Sequence, residues 1–411
     1  MTTETDLSQS LQATALAAML EAARIPQNLV NYRGVLTPQS LDAPQAETAA
    51  LVSGAAIHDL GWMRRVAVRG QDRFRWLSGM VSNTVNDLFP NSGAWNLALN
   101  AKGHIQGDLN VWRGSEELSP ARRKTEAPGK KSDPAPDPLS GTPFAGESTL
   151  ELEIAADQFD KLLAHFNQFI IMDEVELVPL GAEPNGEAGS ETAIGLTGPL
   201  ADEVFARAGL DVALTQPMSS VEVEWNGIDL RIFRNHGAIT PHYEIFLPSA
   251  FIQKLWSCLA TAGATRVGCA ALDALRIAEA VPLYGIDIAE RDLPQEISQT
   301  RALHFNKGCY MGQEIVERIR SRGGVHRHLR PLEISGPAPS AGAELKLEDG
   351  AEAGKITSAA ELQLPSGSRI FALAMLRAQA EKPGLNLTWF AGAAQGTARI
   401  LETPPILHIK A

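Results

Sequence analysis

A chain of 411 residues is too long for one simple core, and its 44% hydrophobic and 20% charged residues supply apolar material for two or three packed units. A formal net charge of −12 excludes a general nucleic-acid coat or a basic membrane-facing surface. The three cysteines lack CxxC spacing, so neither a disulfide framework nor a metal site is encoded. The polar, acidic N-terminus and the lack of an apolar run near the roughly 18 residues of a membrane span lead us to expect a cytoplasmic monomer.

In chain order, Leu11, Leu16, Met19 and Leu20 predict a helix within 7–24, and a second helix is expected over 45–53, ending at Gly54. Val66 and Val68 alternate as a strand, and Gly70 turns it into a helix carrying Phe74 and Leu77. "AWNLALNAKGHIQGDLNVW" reads as two strands joined at Lys102-Gly103, with Trp95, Leu97 and Leu99 on one side and Leu109 and Val111 on the other. Residues 114–147, with six prolines and four glycines, bury too little to offset ordering entropy and are expected to be a mobile insertion at a hairpin tip. Phe159, Leu162, Leu163 and Phe166 predict an amphipathic helix with Asp157 as its cap. "TAIGLTGPLADEVFARAG" reads as strand, Gly-Pro turn and helix. "VEVEWNGIDLRIF" is a hairpin signal, because Asn226-Gly227 supplies the two left-handed turn positions. A strand at 243–247 and helices near 249–261 and 270–279 follow.

After about residue 330 the texture becomes short strands and Gly/Pro/Ser turns, which predicts a small separate β-barrel or sandwich. The fold class is therefore α+β, divided into an N-terminal helical segment (1–45), a core (46–330) and a C-terminal barrel (331–411).

Chemistry concentrates in "KGCYMGQEIVERIRSRGGVHRHLR", residues 307–330. Cys309 sits between Gly308 and Gly312 ahead of a helical pattern, where backbone donors, the helix dipole and Lys307 favour a thiolate. The bland alternative is a small buried hydrophobe. Gln313 and Glu314 either serve the ligand or satisfy first-turn donors. Residues 301–330 hold seven Lys/Arg against Glu314 and Glu317, a local +5. Arg318 and Arg322 lie four apart, as an anion clamp or as a solvated face. Asp108, after a glycine and entering a strand, is a second candidate to accept a proton or bind an amine, although turn aspartates are common. No phosphate-loop or dinucleotide fingerprint occurs.

The run Lys307–Glu314 resembles the K-G-C-[YF]-x-G-Q-E signature of the folate-binding YgfZ family, which shares its fold with the glycine cleavage T-protein. Weaker similarity to the T-protein extends over most of residues 50–400, including "LNAKGHIQGDLNV", "LTGPLADEVF", "LRIAEAVPLYGIDI" and "AGKITSA". The resemblance implies three domains around a central channel, the last a β-barrel, with tetrahydrofolate (or a one-carbon-substituted folate) in that channel. It implies Cys309 and Asp108 as reactive groups, and folate contacts from Met63, Asn100, Asp108, Lys307, Tyr310, Gln313, Glu314 and Arg318. Two departures from the T-protein pattern stand out: Thr240 replaces a pteridine-gripping glutamate and Leu272 an arginine. The resemblance implies an accessory protein for iron–sulfur protein assembly or repair, with transient contact to client or assembly proteins. A folate-dependent aminomethyltransferase and a non-catalytic, folate-stabilised docking protein are the alternatives.

Overall fold

The computed structural model describes residues 11–116, 148–181, 190–237, 240–364, 367–405 and 407. Helix α1 (Ala15–Ala22) buries Leu16, Ala17 and Leu20, and Thr14 caps it by accepting from Ala17 N at 3.1 Å. It is followed by the hairpin β1 (Leu29–Tyr32) and β2 (Val35–Pro38), which the sequence reading missed because each strand is only four residues long. Helix α2 (Pro44–Ser53) starts on a proline, whose missing N–H costs nothing at a helix start.

The core then lays down β3 (Ala56–Asp59), β4 (Met63–Arg69), α3 (Arg73–Met80), β5 (Ser92–Leu99), β6 (Ile105–Glu116), β7 (Ser148–Ala155) and α4 (Ala156–Asn167). After these come β8 (Glu176–Leu180), β9 (Glu191–Thr197), α5 (Ala201–Arg207), β10 (Ser219–Trp225), β11 (Ile228–Asn235) and β12 (His242–Pro248). Helix α6 (Ile252–Thr261), β13 (Thr265–Val267), α7 (Cys269–Ala278) and α8 (Gln313–Arg322) complete it.

Among the described residues the core strands form one 11-stranded sheet, ordered β13-β3-β9-β12-β11-β10-β5-β6-β7-β4-β8. The sheet curls: Arg65 on β4 reaches both Glu151 on β7 (2.6 Å) and Glu191 on β9 (2.7 Å), and Leu60 N donates to Ala193 O. Strands far apart in the order therefore face one another. The alternation predicted for β5 and β6 holds, since Trp95, Leu97 and Leu99 join one core while Leu109 and Val111 join another. Asn226 and Gly227 take φ of 52° and 77°, as their hairpin requires. Asp157 is not the cap of α4. Ala155 holds that position, and Asp157 lies in the first turn, paired with Arg33 at 3.2 Å.

The expected insertion lies, from residue 117 to 147, outside the described residues; its flanks, β6 and β7, pair antiparallel. The C-terminal part is a closed barrel, β14 (Arg327–Ser335), β15 (Glu344–Lys346), β16 (Glu352–Leu364), β17 (Gly367–Arg377), β18 (Asn386–Ala391) and β19 (Ala394–Ile400). Trp389, Leu345, Leu376 and Leu387 fill it. A buried ion pair stitches barrel to core. Arg276 of α7 donates to Asp287 at 2.5 Å, and Asp287 also accepts from Thr357 (2.5 Å) and Ser358 (2.7 Å) of β16. No helix among the described residues is long and apolar enough to cross a membrane.

Candidate functional site

A cavity of about 240 Å³ lies inside the curl of the sheet, closed by the C-terminal end of α7 and by Arg301. Tyr32, Trp62 and Trp95 give it aromatic walls, and Tyr32 meets Trp62 edge-on at 4.9 Å between ring centroids.

On the β5–β6 wall stands Asp108. Gln158 of α4 donates to its Oδ1 at 2.8 Å, and Trp95 Nε1 donates to its Oδ2 at 3.0 Å. Asp108 N in turn donates to Gln158 Oε1 at 2.9 Å. This fixes the carboxylate's orientation. Gly107 leaves room for this pairing, because a Cβ at that position would sit 2.7 Å from Gln158 Oε1 and force that side chain to shift. Arg301 stacks its guanidinium 4.4 Å from the Trp95 ring centroid. Burial draws its pKa down to about 10, opposed by Asp108 and Glu279, so it is a cation at neutral pH.

The opposite wall is a polar seam. Thr197 Oγ1 lies 2.9 Å from His58 Nε2 and 2.7 Å from His242 Nδ1, and the two rings stack with centroids 5.6 Å apart. Burial, aided by His242, pushes His58 down to about 3, and burial also lowers His242, so both imidazoles are neutral. Gly195 leaves room for His58; a Cβ there would be 1.9 Å from its Cε1. Glu244 accepts from Asn235 Nδ2 at 2.9 Å, while Thr240 donates both its N–H (3.0 Å) and its hydroxyl (2.7 Å) to Glu279 Oε1. Thr240 and Leu272 both line the cavity, the first as a holder of a carboxylate and the second as an apolar wall.

Of the residues expected from the sequence to react or to contact the ligand, Met63 and Asp108 line the cavity. The others gather around α8 and are not among its lining residues. Lys307 donates to Val81 O (2.7 Å) and Asn83 O (2.6 Å), and burial draws its pKa down to about 7. Its ammonium therefore anchors the loop to the end of α3 instead of attending Cys309, as the sequence had suggested. Cys309 is exposed, ahead of a helix capped by left-handed Gly312. Gly312 packs on the turn that Asn100 organises, with Asn100 Oδ1 accepting from Lys102 N and His104 N. Tyr310 is buried, Gln313 accepts from Tyr310 N at 3.3 Å, and Glu314, Arg318 and Arg322 are exposed. The rest of the arginine island disperses: Arg327 pairs with Asp292 and Glu296, and Arg330 with Glu381.

One link joins the two places. Asn83, whose carbonyl receives Lys307, donates its side-chain amide to Trp95 O (2.9 Å) and Arg301 O (2.8 Å) of the cavity wall.

Sequence reasoning missed His58, Glu244, Glu279 and the wall role of Arg301. Each comes from a different element, and although Glu279 lies in "LRIAEAVPLYGIDI", nothing local marks any of the four as a wall residue. The available signal was a polar residue inside an otherwise apolar strand, such as the glutamate of "HYEIFLP".

Residues 185–307 match the family model described as the GCVT N-terminal domain. An aminomethyltransferase of Geobacillus kaustophilus is 24% identical over 87% of this chain and 88% of its own length. An aminomethyltransferase of Herpetosiphon aurantiacus is 32% identical over 39% of this chain and 44% of its own, and a putative chloroplastic transferase of Arabidopsis thaliana is 21% identical over 90% and 76%. The crystal structure of the glycine cleavage system aminomethyltransferase T from Bartonella henselae superposes with a TM-score of 0.78 at 20% identity, covering 97% of this chain and 99% of that one. The fold is T-protein-like: mixed α+β with a closed six-stranded barrel at the C-terminal end.

Proposed function

We propose that this chain, a relative of the GCVT-domain aminomethyltransferases, binds tetrahydrofolate in the cavity beside Asp108 and serves iron–sulfur protein assembly or repair through Cys309. The observation that carries the folate half is the doubly anchored Asp108 facing an aromatic-walled cavity. The residues fit the group: flat aromatic walls suit a fused ring, and fixed carboxylates suit its N–H edge. At about 240 Å³ the cavity is smaller than pockets that enclose drug-sized ligands, roughly 300–1,000 Å³, so a folate would seat its ring system there and let its tail leave by the mouth. A bound tetrahydrofolate supplies nitrogens that carry one-carbon units. Asp108 orients those nitrogens and accepts their hydrogen bonds, while Arg301 balances its charge.

Cys309 supports the other half by its exposure. An exposed thiol outside the cavity lining is open to contact by another protein. The iron–sulfur cluster, as cargo, would need ligands beyond this single thiol, since four thiolates are usual. The second reading is aminomethyl transfer within the cavity, favoured by the relatives' names and by Asp108.

Calorimetric titration with tetrahydrofolate, in wild type and Asp108→Ala, tests the first half; unaltered binding by the variant overturns it. Complementation of a deletion strain tests the second. Full restoration of iron–sulfur enzyme activity by Cys309→Ala removes the thiol role, and methylene-tetrahydrofolate formation from an aminomethyl-lipoyl carrier establishes the transferase.

A further inference from the structure

An acceptor and a donor share one indole in the cavity. Trp95 Nε1 donates to Asp108 Oδ2 at 3.0 Å, so the carboxylate lies at the edge of the ring, while the Arg301 guanidinium lies over its face, 4.4 Å from the centroid. The backbone of Arg301 is pinned, because its carbonyl accepts from Asn83 Nδ2 at 2.8 Å, and its Nε donates to Gln299 Oε1 at 3.1 Å. Among the described residues its two Nη groups have no partner, and the guanidinium lines the cavity. A cation drawn out of water is stabilised in part by its aromatic stack, and what its donors lack is an oxygen.

Arg301 also stands at a neck. It lines a second cavity of about 250 Å³ between core and barrel, and the two cavities share His236, Glu279 and Val281 as well. A folate with its ring in the first cavity and its tail in the second brings N5 and N10, which flank the link between ring and tail, to this neck.

We propose that Arg301 sets the specificity of the cavity by donating to the carbonyl oxygen of a formyl group on N5 or N10, so that a formylated tetrahydrofolate is preferred over the unsubstituted one. The proposal rests on the folate reading and deepens it. Formylation of one nitrogen leaves the N–H of the other, so the ligand offers an oxygen and an N–H side by side, as Arg301 and Asp108 require. A methyl group on the same nitrogen brings no oxygen and leaves the guanidinium unpaired. The charge of the lining selects a carbonyl over a carboxylate. Asp108, Glu244 and Glu279 line the first cavity against Arg301 and an Arg276 already paired with Asp273 and Asp287. An anionic oxygen would meet that excess of acidic side chains, and a neutral carbonyl would not.

The test keeps the two readings apart. Calorimetric titration compares tetrahydrofolate with its 5-methyl, 5-formyl and 10-formyl forms. One formyl form should bind wild type about tenfold more tightly than tetrahydrofolate and than the 5-methyl form, the scale of one hydrogen bond to a charged group. In Arg301→Leu that ratio should fall to about twofold or less, whatever the change in absolute affinity, and in Arg301→Gln, which keeps one donor, it should lie between. A wild type that binds tetrahydrofolate at least as tightly as both formyl forms overturns the proposal and leaves the folate reading standing. An undiminished ratio in the folded variants does the same. If no folate binds wild type, the folate reading falls, and saturation-transfer NMR with formanilide and aniline decides. A formanilide signal that exceeds the aniline signal and is lost in Arg301→Leu upholds the carbonyl site; any other result overturns it.

Discussion

Asp108 and Gln158 hold each other through two hydrogen bonds, backbone N–H to amide oxygen at 2.9 Å and amide N–H to carboxylate at 2.8 Å. The pairing ties strand β6 to helix α4 and aims a carboxylate into the cavity without a cation in contact. Gln158→Leu strands the half-buried Asp108 N–H and leaves the carboxylate held by Trp95 alone. Unfolding stability should fall by about 1–3 kcal/mol, and tetrahydrofolate affinity should fall in parallel. Urea melts and calorimetry on the same preparation check both, and an unchanged affinity would separate Asp108's orientation from binding.

The three cysteines should react in a fixed order. Cys309 is exposed, Cys258 half-buried, and Cys269 buried with its thiol pushed up to about 12 by burial and the nearby Asp273. A chromogenic disulfide reagent should titrate one thiol rapidly in the native protein, and Cys309→Ser should abolish that phase. Cys269 should react only on unfolding.

Arg276 and Asp287 form the buried pair on which the barrel docks. Asp287→Ala leaves a buried guanidinium with one carboxylate, Asp273, and strips Ser358 and the Leu283 N–H of their acceptor, while Thr357 keeps only Leu373 O. Stability should drop by about 3–5 kcal/mol, the usual cost of breaking a buried pair from one side. Limited proteolysis should then cut between core and barrel before the core itself is degraded.

Acid stability should reveal two opposing groups. His58 falls from 6.5 to about 3 on folding, so the unfolded chain binds more protons between those values and stability declines as pH drops through that window. Glu153 is raised above 4.5, so the folded chain binds the extra proton there and stability rises as pH drops towards 4.5. The two slopes offset in wild type between about pH 4.5 and 6.5, the unfolded values. Glu153→Gln removes one of them. Its stability should fall more steeply than wild type's over that window, measured by urea midpoints at successive pH values.

Much of the architecture was legible in the sequence because local chemistry dictated it. Asn226-Gly227 could close only a hairpin, the β5–β6 alternation sorted its side chains correctly, and the turn-rich tail became a barrel. What stayed hidden depends on contacts between distant segments. Asp157 looked like a cap until Arg33 claimed it, and Lys307 looked like a partner for Cys309, but it donates its hydrogen bonds to the Val81 and Asn83 carbonyls. The seam of His58, Thr197, His242 and Glu244 exists only once β3, β9 and β12 pair side by side, which no local pattern announces.

The curl has a consequence for biosynthesis. The cavity is bounded by His58 near one end and Arg301 near the other, with Glu244 and Glu279 between. A nascent chain emerging from the ribosome therefore has no complete pocket until residues past 301 are free to fold. No small molecule bound there can act as a template for the N-terminal half, which must find its shape unaided.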